Sequence, residues 1–481
     1  MAAKDFIVAI ELGSSKAVGV AGKKNLDGSI SVLAVVKEDS SSFIRKGCVY
    51  NINQTVQCIS NIVKKLSTAL KSEIAQVYVG VGGQSIHGIK NVIVKDLPGD
   101  TVVSQDIVNE LMDFNRGMSY QDQEILDAVP QEYKVDNQLQ VSPVGIQCNK
   151  LEAHFLNILW RKTFYRKLNN CFDEAGVQIA DMFLAPLALA DNVLTDAEKR
   201  SGCVLVDLGA DTTTVSVYYK NILRHLSVIP LGGSNITRDI TSLQVDDSTA
   251  ERLKLDYACA NGENLESGNQ QVRIDADRSI EMSKFAEIVE ARLLEIIENV
   301  WEQVPPEYVD RLLGGIILTG GGSNMKGIDK AFVSHTHIDK VRIAKYVRTT
   351  VTSGNAEVTA HNGMMNTVLS LLSKGEMNCA GEQVPDNVDL FTENTRPVGK
   401  PVEQQQPQQG EMGQGVVQPV NKPLRDAEAE QRRKMAEKAA IKDAGTDVQG
   451  GENDGNKEEG KVLKNVWSKT KTFIKSLVAD E

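Results

Sequence analysis

The chain has no Cys-x-x-Cys pair. Its seven cysteines (Cys48, Cys58, Cys148, Cys171, Cys203, Cys259 and Cys379) are scattered and odd in number. Neither a disulfide framework nor a zinc site is expected, and a reducing compartment suits such a chain. Positive charge is in deficit, with 53 Lys and Arg against 64 Asp and Glu and a net charge of −11. A nucleic-acid backbone would be repelled, which argues against general nucleic-acid binding and leaves only local basic patches. No apolar run is long enough to span a bilayer. A strand begins almost at the N-terminus, so no signal peptide is expected there. The six histidines are dispersed, and no Ser/His/Asp set or metal-ligand spacing stands out.

What is present is an ordinary soluble composition, 24% charged and 41% apolar, in 481 residues, enough for two or more domains. Two segments share one plan. In the first, an apolar run from Phe6 ends in Glu11, a turn of Gly13, Ser14, Ser15 and Lys16 follows, and a second apolar run begins at Ala17. In the second, a run from Val204 ends in Asp207, followed by Gly209, Ala210, Asp211, Thr212 and Thr213 and then a second run. Each reads as strand, turn, strand. A Gly turn lets backbone N–H groups approach an anion, Ser and Thr add hydroxyls, and an acid at the strand end can hold a cation. One such turn is usually only a turn. Two, one in each half, suggest a nucleotide clamped between related domains.

Strands alternating with helical patterns over about 5–375 indicate an α/β fold. Expected strands lie at 6–10, 17–21, 31–36 and 76–81, with a helix at 56–70. Residues 83–155 change character and read as an inserted subdomain, with a strand at 92–94, an acidic helix near 104–117 and short strands around 134–146. The first lobe (1–82) is expected to resume over 156–200, with helices at 163–175 and 186–194. The second lobe then spans 201–232 and 311–378 around a small subdomain, 233–310. Here strands are expected at 229–233 and 316–318, and helices at 235–244, 248–258, 282–300 and 364–372.

Gly320, Gly321, Gly322 and Ser323 follow a buried strand. The triplet is either a plain strand-to-helix loop or a bare-backbone bed for a base or ribose, and the two hairpins upstream favour the second. Glu251 and Lys254 stand three apart on a helix. Spacing alone makes them a surface pair, and the alternative places them over an adenosine at the cleft edge. Asp207 could orient a magnesium-bound water, since Mg²⁺ uses few carboxylates and keeps its waters, and Glu11 could do the same from the opposite hairpin.

Residues 379–460 are dominated by Gln, Pro, Gly, Asn and Glu, too polar to bury a core, and read as a disordered linker with a reach of roughly 50 Å. Residues 461–481 differ again. Val462, Leu463, Val466, Trp467, Phe473, Ile474, Leu477 and Val478 fall within an arc of roughly 160° on a helix. Lys464, Lys471 and three further lysines lie outside it. This is either a helix packing on a partner protein or, more in keeping with its Trp, Phe and Lys, an in-plane helix on anionic membrane lipid.

The two hairpins, the turn from Thr319 to Asn324 and the Glu251/Lys254 helix resemble the actin-like ATPase superfamily. A more specific resemblance is to the FtsA family of bacterial cell-division proteins. It is carried by Val79-Gly80-Val81-Gly82-Gly83-Gln84-Ser85-Ile86, Val129-Pro130-Gln131-Glu132-Tyr133, Ser142-Pro143-Val144-Gly145 and the linker with its terminal helix. The resemblance implies an actin-like two-lobed fold with ATP and Mg²⁺ between the lobes. Gly13 to Lys16 would form the first phosphate loop and Asp207 with Gly209 to Thr213 the second. Glu251, Lys254, Gly320 to Gly322 and Ser323 would hold adenosine. It also implies self-assembly into filaments and binding of later division proteins. The C-terminal peptide of the tubulin-like protein FtsZ would dock on the small subdomain, with Arg292 available to it. The expected location is the cytoplasmic face of the inner membrane at the division site. The chain departs from the superfamily at Glu11, usually Asp, at Ala210-Asp211, usually plainer glycines, and at Met364-Met365-Asn366-Thr367, usually small residues. ATP binding with weak or absent hydrolysis is therefore expected. Two related readings are a superfamily sugar or acid kinase and an actin-like pilus-assembly scaffold.

Overall fold

Ile7–Leu12 and Lys16–Lys24 pair antiparallel, with Glu11 opposite Val18. Cys203–Leu208 and Thr213–Tyr219 do the same, with Asp207 opposite Thr214. Each pair seeds one sheet in the computed structural model, which describes residues 5–260, 271–275 and 277–380. All but the first two residues of the expected linker, and the whole of the segment 461–481, lie outside the described residues.

The first sheet runs in the order Gln178–Leu184, Gln76–Val81, Ile7–Leu12, Lys16–Lys24, Ile30–Asp39, Val351–Thr352. The second opens in the order Val341–Ile343, Gly315–Thr319, Cys203–Leu208, Thr213–Tyr219, Ile222–Ile229. The plan is the same in both. A three-strand antiparallel meander carries two parallel strands beside its first member. Parallel neighbours need crossovers, and helices supply them. Ile52–Leu70 is one such helix. Asn51 caps it by accepting from the Gln54 N–H at 3.2 Å, which starts it four residues before the apolar spacing does. Thr55, Cys58, Ile59, Ile62, Leu66 and Leu70 form its buried face.

The insert departs from the short strands expected. His87–Val102, Gln147–Arg161 and Gln123–Val135 are long, and with Gln138–Gln140 they extend the second sheet beyond Ile222–Ile229. The expected resumption of the first lobe at 156 falls inside the strand Gln147–Arg161. Residues 156–161 thus continue a strand that begins in the insert, and the change of core falls between Phe155 and Leu156. Leu151, Ala153 and Phe155 pack in the insert's own core. Leu156, Ile158 and Trp160 pack in a larger core that joins the first lobe to Leu205, Leu226 and Ile317 of the second. A strand expected at 229–233 instead ends at Ile229, because Pro230 follows and cannot donate to the ladder. No disulfide joins the seven cysteines, and all are buried. Among the described residues, no helix is long and apolar enough to cross a membrane.

The last helix, Asn366–Lys374, joins the lobes. At its start, buried Asn366 donates to Thr319 Oγ1 at 3.1 Å and to the Ala344 carbonyl at 2.8 Å, both in the second lobe. Further along, Leu371 lies under the first sheet, so close that a Cβ on Gly80 would stand 2.4 Å from Leu371 Cδ1. Leu371 is fully buried and has nowhere to move. Gly80→Val is therefore expected to destabilise the folded chain by about 1–3 kcal/mol through overpacking. The measurement is the urea midpoint at constant slope; an unchanged midpoint would contradict this packing.

Candidate functional site

The two glycine turns close in the same way. The Gly13 N–H donates to the Lys16 carbonyl at 3.1 Å, and the Gly209 N–H donates to the Thr212 carbonyl at 2.9 Å. Short polar contacts brace each loop. Ser14 Oγ accepts from the Gly47 N–H at 2.8 Å, and Ser40 Oγ donates to the Gly13 carbonyl at 2.6 Å. Ser15 lies beside Ser14, and its carbonyl accepts from the Ser40 N–H. In the second loop Thr213 Oγ1 donates to the Leu231 carbonyl at 2.9 Å. The carbonyls of Gly209 and Ala210 accept from the N–H groups of Gly233 and Ser234 at 3.0 and 2.8 Å. The second loop also reaches the first lobe, where Asp211 Oδ2 accepts at 3.1 Å from the Lys46 N–H, in the turn between Ile44–Arg45 and Cys48–Val49. Asp211, read from sequence as a charge beside the phosphates, thus has a backbone partner in the first lobe.

Glu11 and Asp207 end the central strands of the two sheets and interact across the cleft. Burial, and then the charge of Asp207, push the Glu11 carboxyl up to about 7, while Lys16 pulls it down. Burial pushes Asp207 up to about 6. Burial and then Lys37 hold Lys16 below the ordinary lysine range, against Glu11 and Glu357. Its Nζ is buried without a hydrogen-bond partner among the described residues. Two carboxylates that resist ionising and an ammonium with nothing to bond to form a site of mixed sign. A cation would relieve the acids and an anion would satisfy the lysine. Among the described residues no group of three or more His, Cys, Asp or Glu side chains could hold a metal. A lone carboxylate pair suits Mg²⁺ carried in with phosphate oxygens and its own waters.

The remaining candidates continue from this point. Gly320 has φ +83°, and a Cβ there would stand 2.4 Å from Asp207 Oδ1. Ser323 Oγ donates back to the Gly320 carbonyl at 2.7 Å, which folds the triplet into a tight turn. Gly321 faces open space, and Gly322 lies on Leu208. On the other side of the second hairpin, Lys254 Nζ donates to the Gly233 carbonyl at 3.1 Å and to Thr237 Oγ1 at 2.8 Å, and pairs with Glu251 at 2.7 Å. Thr237 Oγ1 donates to Glu251 Oε2 at 2.5 Å. Gly320, Asp207, the Gly209 loop, Gly233, Lys254 and Glu251 therefore form one continuous lining. Sequence reading missed Gly232, Gly233 and Thr237 as members of it. The Gly-Gly pair was visible, and Thr237 stands four residues on, one helical turn away.

Arg292 is elsewhere and is not free. Its Nε and Nη2 donate to the two carboxylate oxygens of Asp239 at 2.5 and 3.1 Å, and Nη1 donates to Glu295. An acidic peptide would have to displace one of these carboxylates. The candidate membrane residues lie outside the described residues.

The raised carboxyl of Glu11 fixes the sign of a pH effect. Below the ordinary value of 4.5, native and unfolded chains both carry it neutral. From there to about 7 the native state holds the proton more tightly, so ionisation progressively removes stability as pH rises. Glu11→Gln should raise the melting midpoint of the ligand-free protein near pH 8, by an amount worth roughly 1–3 kcal/mol, and leave it unchanged near pH 4. Differential scanning fluorimetry across pH reads this directly, and equal shifts at both ends would refute the raised carboxyl of Glu11.

Comparison with known proteins follows the same lines. A family model described as cell division protein FtsA matches residues 204–367, and one described as the SHS2 domain inserted in FTSA matches residues 83–159. The cell division protein FtsA of Porphyromonas gingivalis is 32% identical over 324 residues, which cover 66% of this chain and 68% of that one. Its counterpart in Pseudomonas aeruginosa is 30% identical over 330 residues, covering 67% of this chain and 78% of that one. Among solved structures, the PilM–PilN type IV pilus biogenesis complex superposes with a TM-score of 0.51 at 14% identity, covering 76% of this chain and 97% of the matched one, a likeness of fold alone. The chain has the actin-like fold and belongs to the FtsA family of cell-division proteins.

Proposed function

We propose that this cell-division protein is an ATP-binding, membrane-tethered filament subunit that ties the FtsZ ring to the cytoplasmic membrane. The observation that carries the nucleotide reading is the facing of Glu11 and Asp207 beside the orphaned Lys16 ammonium. Gly13, Ser14, Ser15 and Lys16 would hold one side of the phosphates. Gly209, Ala210, Thr212 and Thr213 would hold the other. Glu251, Lys254, Gly320, Gly321, Gly322 and Ser323 would receive the adenosine. Asp207, through water, and Glu11 would face Mg²⁺, which when bound supplies charge neutralisation for the phosphates. Asp211 is engaged by the Lys46 N–H of the first lobe. This favours a cleft that closes on ATP over one that activates water, with hydrolysis weak or absent.

The rest of the proposal follows from the family and from the sequence beyond residue 380. The C-terminal peptide of FtsZ would dock on the small subdomain 233–310, and other copies of the chain and later division proteins would be further partners. Val462, Leu463, Val466, Trp467, Phe473, Ile474 and Leu477 would enter the interface of anionic lipid, with Lys464 and Lys471 near the headgroups. One such helix binds reversibly, and many on one filament bind firmly.

Gly320→Val is expected to weaken binding of a fluorescent ATP analogue by about tenfold or more, since the new side chain collides with Asp207 and the left-handed backbone disfavours it. Unchanged affinity would remove the triplet from the nucleotide site. Co-sedimentation with anionic vesicles should be lost on deleting 461–481, and equal pelleting of the truncated chain would sink the anchor. Absence of FtsZ-tail binding at high micromolar concentration would sink the tether.

A further inference from the structure

A second pocket, of about 240 Å³, opens at the seam between the insert and the second lobe, away from the glycine loops. Its lining carries three cations, Lys220, Arg224 and Arg311, against one carboxylate, Glu132. This is an unusual excess in a chain of net charge −11. Arg224 is buried and already bound to Glu132 at 3.0 Å. Lys220 is only loosely paired, 3.9 Å from the same carboxylate and 55% exposed. Arg311 has no ion-pair partner among the described residues and leans over the Tyr219 ring at 5.5 Å. Tyr219 and Tyr308, with centroids 6.1 Å apart, form the floor.

Two further features surround this pocket. Lys220 and Asn221 make the turn between Thr213–Tyr219 and Ile222–Ile229 with φ of +55° and +63°. Such a hairpin turn prefers Asn-Gly, and a lysine in the first position is a strained choice that keeps a cation at the rim. Gln138–Gln140, which contributes Leu139 and Gln140 to the lining, is the last strand of the nine-stranded sheet, with one edge unpaired among the described residues. Leu139 and Val141, two residues apart, both line the pocket and are 60% and 67% exposed. The volume falls short of the roughly 300–1,000 Å³ of sites for whole cofactors. It suits one or two side chains of something larger.

We propose that this pocket receives an acidic side chain of an extended partner peptide, which adds as a strand to the free edge of Gln138–Gln140. The carboxylate meets Arg311 and Lys220. Apolar residues at alternate positions of the peptide cover Leu139 and Val141, and main-chain bonds to the edge supply the remaining affinity. The inference is independent of nucleotide binding and of the small subdomain 233–310.

The test uses the full chain and a fluorescein-labelled peptide of about ten residues alternating Glu and Val, read by anisotropy. Affinity should fall about tenfold in Lys220→Glu/Arg311→Glu and less in Arg311→Ala, which keeps the proposal testable should the double variant fail to fold. The exposed helix variant Lys64→Glu, which makes a charge change of the same sign, should bind as the parent does. A Lys-Val peptide of the same length should not bind. In hydrogen exchange the amides of 138–141 should become protected on adding the Glu-Val peptide. Equal affinity in the charge-reversed and Arg311→Ala variants, or protection confined to other segments, would overturn the proposal.

Discussion

Two like charges held across a cleft set the terms for this molecule. Glu11 and Asp207 stand at the ends of equivalent strands in two sheets of the same plan, so the duplication that builds the fold also brings the acids face to face. Burial leaves both carboxyls reluctant to ionise, and the charge of Asp207 adds to the effect at Glu11. A fold optimised only for its own stability would have replaced one of them with a neutral group. Lys16 does not resolve the conflict, since its ammonium is itself desolvated and without a hydrogen-bond partner. What would satisfy all three groups is a polyanion accompanied by a divalent cation. Its binding energy would then contribute to holding the lobes in this arrangement.

Other contacts hold the lobes together on the side of the last helix. Asn366 ties that helix to strand ends of the second lobe, while Leu371 and Leu372 fill the underside of the first sheet. Val351–Thr352 adds to the edge of the first sheet, and Arg348 donates to the Leu194 carbonyl at 2.6 Å. Glu198 is a further anchor. Burial would raise its carboxyl, but bonds from Arg342 and Thr195 outweigh this and hold it at about 2. At the glycine loops the contact is lighter, one backbone N–H on Asp211. A structure fastened at one side and lightly latched at its charged cleft is suited to report what the cleft contains.

The hairpins were legible because alternation, an acid and a glycine turn are local signals, and their pairing with parallel neighbours follows from the crossover helices. The long strands of the insert were not. Val92 and Val94 are 47% and 51% exposed, so most of His87–Val102 lacks the apolar run that marks a strand, and its length is set by the partner strand Gln147–Arg161. The role of Asn366 was equally hidden, since its two acceptors, Thr319 and Ala344, are distant in sequence. Sequence identified a departure at that helix start without indicating what it does. Arg292 shows the converse error: a cation on a candidate face looked available, and only the fold reveals Asp239 against it.

The insert gives these facts a mechanical consequence. It leaves the first lobe after Gly82 and returns to it through Gln147–Arg161, yet it is bonded to the second. Gln131 donates to the Leu223 carbonyl at 2.8 Å, Glu132 receives Arg224, and Ser227 pairs with His87. Rotation of one lobe against the other must therefore drag the insert or break this seam. The seam is thin, with one strand-pairing contact between its two sheet halves. Ser85 Oγ, Ser227 Oγ and His225 Nε2 are buried there without hydrogen-bond partners, and burial and then Lys90 hold His225 below the ordinary histidine range. Unpaired buried polar groups are regained by water when such a joint opens, which lowers the cost of parting it. One buried apolar cluster nevertheless runs from the first lobe through Leu156 and Ile158 to Leu205, Leu226 and Ile317 of the second, beneath the seam. Closure of the cleft should still be expressed first as a change in how the insert sits on the second lobe.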